Sequence, residues 1–374
     1  MKRSIALGAG LLAASALGTG WTIARRLTEA ASSRVFDLTI HDIEHDDGTQ
    51  RVVLASTPQT TADGIYNLWI ERGGWTQLSA EATDRGRGRV ARTVTGTSPG
   101  LKLVAGDRAS WSGIYYATPA DAGLNARDIT INTPAGPCAA WRIDGDPSTW
   151  AIHIHGLGSS RAGTLRGVQV ATELGYTSLI VTYRNTAEGP RVGTGRSTLG
   201  HTEIADVDEA IGYAVRRGAQ RIVLFGWSMG AAIALRLADQ PRHDRLITAL
   251  VLDSPVLDWT ETIKANCARN GLPAAAGWLA IPWLTVGPLA HAVGLPESIP
   301  LRQFDWITHA AGLTTPTLIL HGTRDSSAPV RLSQAVRDRR PDIVTLETFA
   351  ADHTLAWNFD PERWRSVVKA WLPR

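Results

Sequence analysis

Hydrophobic patterning divides the chain into two textures. Between residues 35 and 111, short apolar runs alternate with polar and turn residues. Candidate strands cover 51–55, 65–70, 90–94 and 108–112, with Asp47-Gly48, Asp63-Gly64 and Gly73-Gly74 as turn signals between them. From about residue 124, β-rich apolar runs at 129–133, 138–143, 150–155, 178–182, 221–225, 249–253, 317–321 and 344–348 alternate with stretches of helical character. Those stretches are 161–174, 202–217, 229–238, 330–339 and 361–371. The first two runs read as a hairpin. The rest of the alternation predicts a mostly parallel sheet with helices on both faces. The rhythm breaks once, at 255–313, an insertion with several prolines and the tryptophans Trp259, Trp278, Trp283 and Trp306. Three parts are therefore expected: an N-terminal segment over 1–34, a small β-rich accessory module over 35–118, and an α/β domain over 119–374.

The N-terminal part is uncharged from residue 4 to 24, with Lys2 and Arg3 before it and Arg25 and Arg26 after it. As a helix this stretch would span roughly 30 Å, one hydrocarbon core. Two membrane readings compete: an uncleaved anchor, and a signal peptide cut at the small residues Ala14-Ser15-Ala16. Basic residues flank both ends, so the face of the membrane stays open.

Composition narrows the classes further. Of the 374 residues, 44% are hydrophobic and 20% charged, which excludes wholesale disorder. Lys and Arg number 38 against 35 acidic residues, a balance that does not argue for nucleic acid. Two cysteines, Cys138 and Cys267, exclude a disulfide framework and a Cys-rich zinc site. The polar run from His41 to Gly48 needs no metal to explain it, and nothing in the sequence calls for a metal or organic cofactor.

The chemistry centres on Gly226-Trp227-Ser228-Met229-Gly230, which directly follows the strand-like run 221–225 and directly precedes the helix-forming run 231–238. A strand turning abruptly into a helix crowds the positions two before and two after the serine, and glycine relieves the crowding. The hydroxyl is then exposed at a strand end, with a helix N-terminus behind it. Such a serine needs a base and an orienting acid. Among ten histidines the best base is His353, in Ala350-Ala351-Asp352-His353-Thr354, between the last run and the last helix. The best acid is Asp325, ending Leu320-His321-Gly322-Thr323-Arg324-Asp325; Asp253 also ends a strand and is its rival. Asp352 reads as solvated. Oxyanion donors are expected at the backbone N–H of Met229 and of Leu157, in the turn His155-Gly156-Leu157-Gly158. Trp227 beside the serine and Trp259 in the insertion are candidate substrate contacts. Arg184 and Asn185 read as a structural hydrogen-bond network at a strand end.

With those motifs the chain resembles the α/β-hydrolase superfamily from about residue 124 to the end. The likeness rests on the Gly-Trp-Ser-Met-Gly turn, His155-Gly156-x-Gly158, His321-Gly322-x-x-Asp325 and Asp352-His353. Tyr183-Arg184-Asn185 and the N-terminal hydrophobic segment resemble bacterial members near the serine aminopeptidase-like and BEM46-like branches. The resemblance implies an eight-stranded sheet, a cap inserted after the sixth strand where 255–313 falls, and hydrolysis through Ser228, Asp325 and His353. A membrane-associated carboxylesterase acting through an acyl-enzyme is the leading expectation. The same residues would suit a peptidase or amidase, and a non-catalytic binding protein on this fold is the third reading. The expected partners are a small-molecule ester or amide and, through the N-terminal segment, a membrane.

Overall fold

The computed structural model describes residues 16–30 and 34–373. Seven strands form an antiparallel N-terminal sheet: β1 (Leu38–Thr39), β2 (Asp42–Asp46), β3 (Thr49–Ala55), β4 (Tyr66–Ile70), β5 (Trp75–Gly86), β6 (Arg89–Thr97) and β7 (Arg108–Ser112). Their order is β1-β7-β4-β5-β6-β3-β2. Asp47 and Gly48 close the β2–β3 hairpin, both at positive φ, which a two-residue turn between twisted strands favours. Val52, Leu54, Leu68, Ile70, Leu78 and Val90 build this sheet's apolar core. Strand β5 escaped the sequence reading because its pairing with β6 carries three register irregularities, which break the two-residue alternation. The stretch from His41 to Gly48 forms β2 and its turn, where Glu44 holds Arg85 through two hydrogen bonds to Nε and Nη2.

Eight further strands form the second sheet: β8 (Arg127–Thr133), β9 (Gly136–Ile143), β10 (Asp146–Ile154), β11 (Tyr176–Val181), β12 (Arg221–Trp227), β13 (Ile247–Asp253), β14 (Thr317–Gly322) and β15 (Val344–Phe349). The order is β15-β14-β13-β12-β10-β11-β9-β8. Only β9 runs against its neighbours, and the other pairs are parallel. The central strands β10–β14 are buried on both faces over most of their length and are apolar at successive positions, whereas β8, β9 and β15 at the edges keep exposed or half-buried positions. Ile152, Leu224, Leu250 and Ile319 pack on one side, with Val207, Ile233 and Val336 of helices Glu203–Val215, Met229–Ala238 and Val330–Arg339. Val223, Phe225, Val251 and Leu318 pack on the other, with Val170 and Trp364 of helices Leu165–Glu173 and Pro361–Trp371. Between β13 and β14, the sixth and seventh strands of this sheet, the chain leaves to form a cap with helices Trp259–Arg269, Gly277–Thr285 and Gly287–Val293.

The two sheets are joined at Asn358, which is fully buried. Its Nδ2 donates to the carbonyls of Ile65 and Gly113 at 2.8 and 3.0 Å. Its Oδ1 accepts from Arg166 Nη1 at 2.6 Å, and its backbone carbonyl accepts from Ile65 N–H at 2.8 Å. Gly64 lies so close that a Cβ there would stand 2.3 Å from the Asn358 carbonyl oxygen. Tyr115 and Tyr116 add ring contacts to Trp357. Asn358→Ala removes the partner of two carbonyls and a guanidinium N–H at a buried position. It should lower unfolding free energy by about 2–3 kcal/mol, read as a shift in urea midpoint; an unchanged midpoint would show that the contact is not buried in solution.

Residues 16–27 form a helix that lies on the cap. Trp21 Nε1 donates to the Ala292 carbonyl at 3.1 Å and Arg25 Nη1 to the Val293 carbonyl at 3.2 Å. A Cβ at Gly20 would stand 2.1 Å from the Leu279 carbonyl oxygen, so only glycine permits this approach. Among the described residues no single helix is long and apolar enough to cross a membrane. Residues 4–15 of the uncharged stretch, including Ala14 and Ser15 of the candidate cleavage site, lie outside the described residues.

Candidate active site

Ser228 sits between β12 and the helix Met229–Ala238, at φ 53° and ψ −114°. This backbone is strained for a residue with a Cβ and is held by its surroundings. The Ser228 N–H donates to the Asp253 carbonyl at 3.0 Å, and its carbonyl accepts from Ala231 N–H at 3.0 Å. The glycines are required for two different contacts. A Cβ on Gly226 would meet Ala231 Cα at 2.5 Å, and one on Gly230 would meet the Ile154 carbonyl oxygen of β10 at 2.2 Å.

His353 and Asp325 converge on this serine from the loops after β15 and β14. Ser228 Oγ lies 2.9 Å from His353 Nε2, and His353 Nδ1 donates to Asp325 Oδ2 at 2.7 Å. The carboxylate has four donors. Oδ1 accepts from the backbone N–H groups of Ser327 and Ala328 at 2.9 and 2.7 Å. Oδ2 accepts from His353 and also from His321 Nε2 at 3.1 Å. That same nitrogen of His321 faces the Ala328 carbonyl at 2.8 Å, so it carries the proton, and Nδ1 is left to accept from Ser333 Oγ at 2.7 Å. Burial alone would raise the Asp325 pKa, but the hydrogen bonds from His321 and His353 outweigh it and hold the carboxyl well below the usual carboxylate range.

The sign of that shift makes a prediction about stability. A carboxylate with a depressed folded-state pKa stabilises the fold fully above its unfolded pKa, about 4, and loses that contribution as pH falls toward the folded value. The stability gap between the parent and Asp325→Asn should therefore be constant above about pH 5 and narrow below pH 4. Urea titrations at pH 3 and pH 7 check this, and a gap that widens in acid would contradict it.

The rival acid, Asp253, is buried elsewhere. Its Oδ2 accepts from Trp364 Nε1 at 3.0 Å, and burial pushes its pKa up. Asp352 is not merely solvated, as its sequence context suggested. Its Oδ1 accepts from the N–H groups of Ser326 and His353 at 2.9 and 2.8 Å and from Ser326 Oγ at 3.0 Å, tying the loops that carry Asp325 and His353 together. Thr354, at φ 56°, donates from N–H to Ser254 Oγ at 2.9 Å. Its carbonyl accepts from Arg166 Nη1 at 3.0 Å.

The turn His155-Gly156-Leu157 lies against the serine, and a Cβ on Gly156 would come within 3.1 Å of Ser228 Cβ. Neither the Leu157 nor the Met229 backbone N–H donates to a partner among the described residues. Met229 also begins its helix, where the dipole favours negative charge. Beneath the turn, His155 stacks on Tyr183 with ring centroids 4.4 Å apart. Burial lowers the His155 pKa to about 4 and that of His153 to about 3, so both are neutral supports.

A cavity of about 410 Å³ opens at Ser228 and His353. Trp227 lines it. Trp259 does not: it is the first residue of a cap helix whose preceding Asp258 side chain accepts from Thr260 and Glu261 N–H, and its ring is buried in the core cluster. Arg184 pairs with Asp206 at 2.7 and 2.8 Å, and Asn185 bonds the Arg196 carbonyl and Val192 N–H; neither lines this cavity. What sequence reasoning missed is the opposite wall, supplied by the N-terminal sheet and its loops through Pro58, Gln59, Tyr66, Trp111 and Ile114. Arg92, fully buried, braces that wall. Its Nε donates to the Thr60 carbonyl at 3.0 Å and its Nη1 to the carbonyls of Gly64, Ser79 and Ala80 at 3.0–3.1 Å. An arginine within this β-rich stretch was the available signal, but only the fold shows which carbonyls it gathers.

The strand order, the serine at the strand–helix turn and the convergence of His353 and Asp325 define an α/β-hydrolase architecture. The chain belongs to the alpha/beta hydrolase family, whose sequence profile matches residues 151–367. The profile of a domain of unknown function matches residues 39–112. Among solved structures, the esterase of Pyrococcus furiosus is similar in two crystal forms. Each is 23% identical to this chain, with TM-scores of 0.53 and 0.52, covering 69% of this chain and 95% and 94% of the esterase. At that identity the likeness establishes a shared fold. No curated protein matches the chain at a significant level.

Proposed function

We propose that this protein is a serine hydrolase that cleaves carboxylic esters through an acyl-enzyme. The observation that carries the reading is the continuous set of hydrogen bonds from Ser228 Oγ through His353 to Asp325. In the first half-reaction Ser228 Oγ bonds to the carbonyl carbon while His353 Nε2 takes its proton. The carbonyl oxygen becomes an oxyanion against the N–H groups of Met229 and Leu157. Collapse breaks the bond to the alcohol oxygen, which leaves with the proton from His353. Water then enters, gives its proton to His353 and displaces the acyl group, and Ser228 regains its proton. Asp325 keeps the imidazole in the tautomer that accepts at Nε2 and stabilises the imidazolium.

We carry the ester forward because it asks for no charged partner, whereas a free substrate amine needs a carboxylate; the one carboxylate lining the cavity among the described residues, Asp352, has Oδ1 engaged by two backbone N–H groups and a hydroxyl, with Oδ2 at 3.3 Å from Ser326 Oγ. The N-terminal β-rich module is part of the catalytic unit in this reading, because it walls the cavity. Because residues 16–27 are docked on the cap, membrane attachment or export in this reading would depend on the part of the uncharged stretch before residue 16. The test is labelling by a fluorescent serine-reactive phosphonate of the full-length protein beside Ser228→Ala. Labelling of the parent alone supports an activated Ser228; equal labelling of both, or of neither, removes the proposal.

A further inference from the structure

Two arginines line the Ser228 cavity, and the bonds from Ser228 to Asp325 use neither. Arg166 stands in the first turn of the helix Leu165–Glu173 and is only 4% exposed. Its Nε donates to the Gly163 carbonyl at 3.2 Å. Its Nη1 donates to the carbonyl of Thr354, the residue after His353, at 3.0 Å and to Asn358 Oδ1 at 2.6 Å. Its Nη2 donates to no partner among the described residues, although the side chain borders the cavity. A buried guanidinium stays charged and directs its donors at oxygen, so an idle nitrogen there calls for an acceptor. Asp253 does not supply one: burial lowers the Arg166 pKa and the charge of Asp253 opposes that shift, but no hydrogen bond joins the two. The second arginine, Arg269, ends the cap helix Trp259–Arg269 and reaches the same cavity from an exposed position. It makes no hydrogen bond or ion pair among the described residues.

We infer that the substrate is an ester that also carries a free carboxylate, which Arg166 Nη2 and the Arg269 guanidinium bind while the ester carbonyl stands at Ser228. The inference rests on the hydrolase reading above and narrows its substrate class to acidic esters. The balance of charge on the wall points to an anion. Two guanidiniums face one carboxylate, Asp352, whose Oδ1 is engaged by the loop that carries Asp325. His155 lines the cavity as a neutral ring, since burial lowers its pKa to about 4. An excess of one positive charge matches a carboxylate rather than a doubly charged phosphate. The planar forks of the two arginines suit the paired oxygens of a carboxylate, and hydrogen bonds between charged groups are the stronger kind. The division of labour is also physical. Arg166 is held by three fixed acceptors and offers a donor whose direction is set before binding, which spares the cost of ordering it. Arg269 is exposed on the cap and can close on the anion after it enters. The helix C-terminus at Arg269 tolerates a cation by itself, but gives no reason for that cation to border the cavity.

The test uses full-length protein and two pairs of esters, each an acid beside its neutral amide. 4-Acetoxybenzoate against 4-acetoxybenzamide places the charge on the alcohol side, and monoethyl adipate against ethyl adipamate places it on the acyl side. Each kcat/KM is divided by the ester's own alkaline hydrolysis rate, and the acid-to-amide ratio within one variant cancels differences in the amount of folded enzyme. The parent should favour the acid by about tenfold or more in at least one pair, the size expected of a hydrogen bond between charged groups. Arg269→Gln, at an exposed position, should bring that ratio down by about tenfold while the amide is still turned over. Arg166→Gln should do the same. Because it also frees Thr354 and Asn358, its ratio counts only if Ser228 still takes the phosphonate label, and otherwise Arg269→Gln decides. A parent ratio near or below one in both pairs overturns the inference. So does a high ratio that Arg269→Gln leaves unchanged. If the phosphonate labels Ser228 and both ratios are flat, only the assignment of the arginines fails. If there is neither labelling nor turnover, the hydrolase reading falls and takes this inference with it.

Discussion

Ser228→Ala should lower kcat for a simple ester by about 10⁶-fold, with little change in KM or stability. The size follows from what is removed. On the proposed mechanism, without Oγ no atom is left to form the acyl bond, and only binding and the proposed oxyanion donors at Met229 and Leu157 would remain, which together give about 10³–10⁴ over water. The fold should tolerate the change, because the Ser228 backbone is held by bonds that do not involve the side chain: N–H to Asp253, and carbonyl to Ala231 N–H. Alanine carries the same Cβ into the same positive φ, so no new strain is introduced. Initial rates on p-nitrophenyl acetate, with active sites counted by the phosphonate in the parent, check it. Retention of more than a hundredth of the parent rate by Ser228→Ala would place the nucleophile elsewhere.

Asp325→Asn should lower kcat by about 10⁴-fold, and Asp253→Asn by less than tenfold. The argument is a tautomer argument. At position 325 one carboxylate oxygen accepts from two backbone N–H groups, those of Ser327 and Ala328. An asparagine must place its carbonyl oxygen there, which turns its NH₂ toward His353 Nδ1. That nitrogen then has to accept, the ring proton moves to Nε2, and the base can no longer take a proton from Ser228. The same NH₂ would face the N–H of His321 Nε2, adding a repulsive contact. At position 253 the amide oxygen of asparagine can still accept from Trp364 Nε1, and no bond to His353 exists to be lost. Comparable losses in both variants would mean that the two carboxylates share the role. A greater loss in Asp253→Asn would reverse the assignment.

The cavity walls extend the argument from chemistry to selectivity. One side of the Ser228 cavity comes from loops of a sheet that does not touch the Ser228–His353–Asp325 hydrogen bonds, and it is held against the second sheet by Asn358. Arg92 organises those loops with no carboxylate partner among the described residues, gathering carbonyls of residues 60, 62, 64, 79 and 80. Burial lowers its pKa, yet the donors of its planar fork are all directed at backbone oxygens, a geometry a lysine would not reproduce. The matched domain of unknown function thus has a structural position at the entrance to the serine.

The local geometry of the serine turn was legible in the sequence alone. The serine turn could be read because its demands are local: a strand, two glycines at fixed offsets and a helix start lie within a short window, and the structure places a crowding contact at each glycine. The central strands of the second sheet could be read because both of their faces are buried, so each is a short apolar run bounded by turns. Helices Met229–Ala238, Val330–Arg339 and Pro361–Trp371 showed equally well in their apolar spacing. Tertiary structure decided what depends on partners distant in sequence. Asp325 and Asp253 both end strands, and only the loop geometry brings one of them to His353. Trp259 carries the composition of a substrate contact, but its ring is buried in the core cluster at the start of a cap helix. Ile65 meets Asn358, and Arg25 meets Val293, across hundreds of residues. No periodicity encodes such a meeting, because its energy comes from surfaces that exist only after both elements have folded.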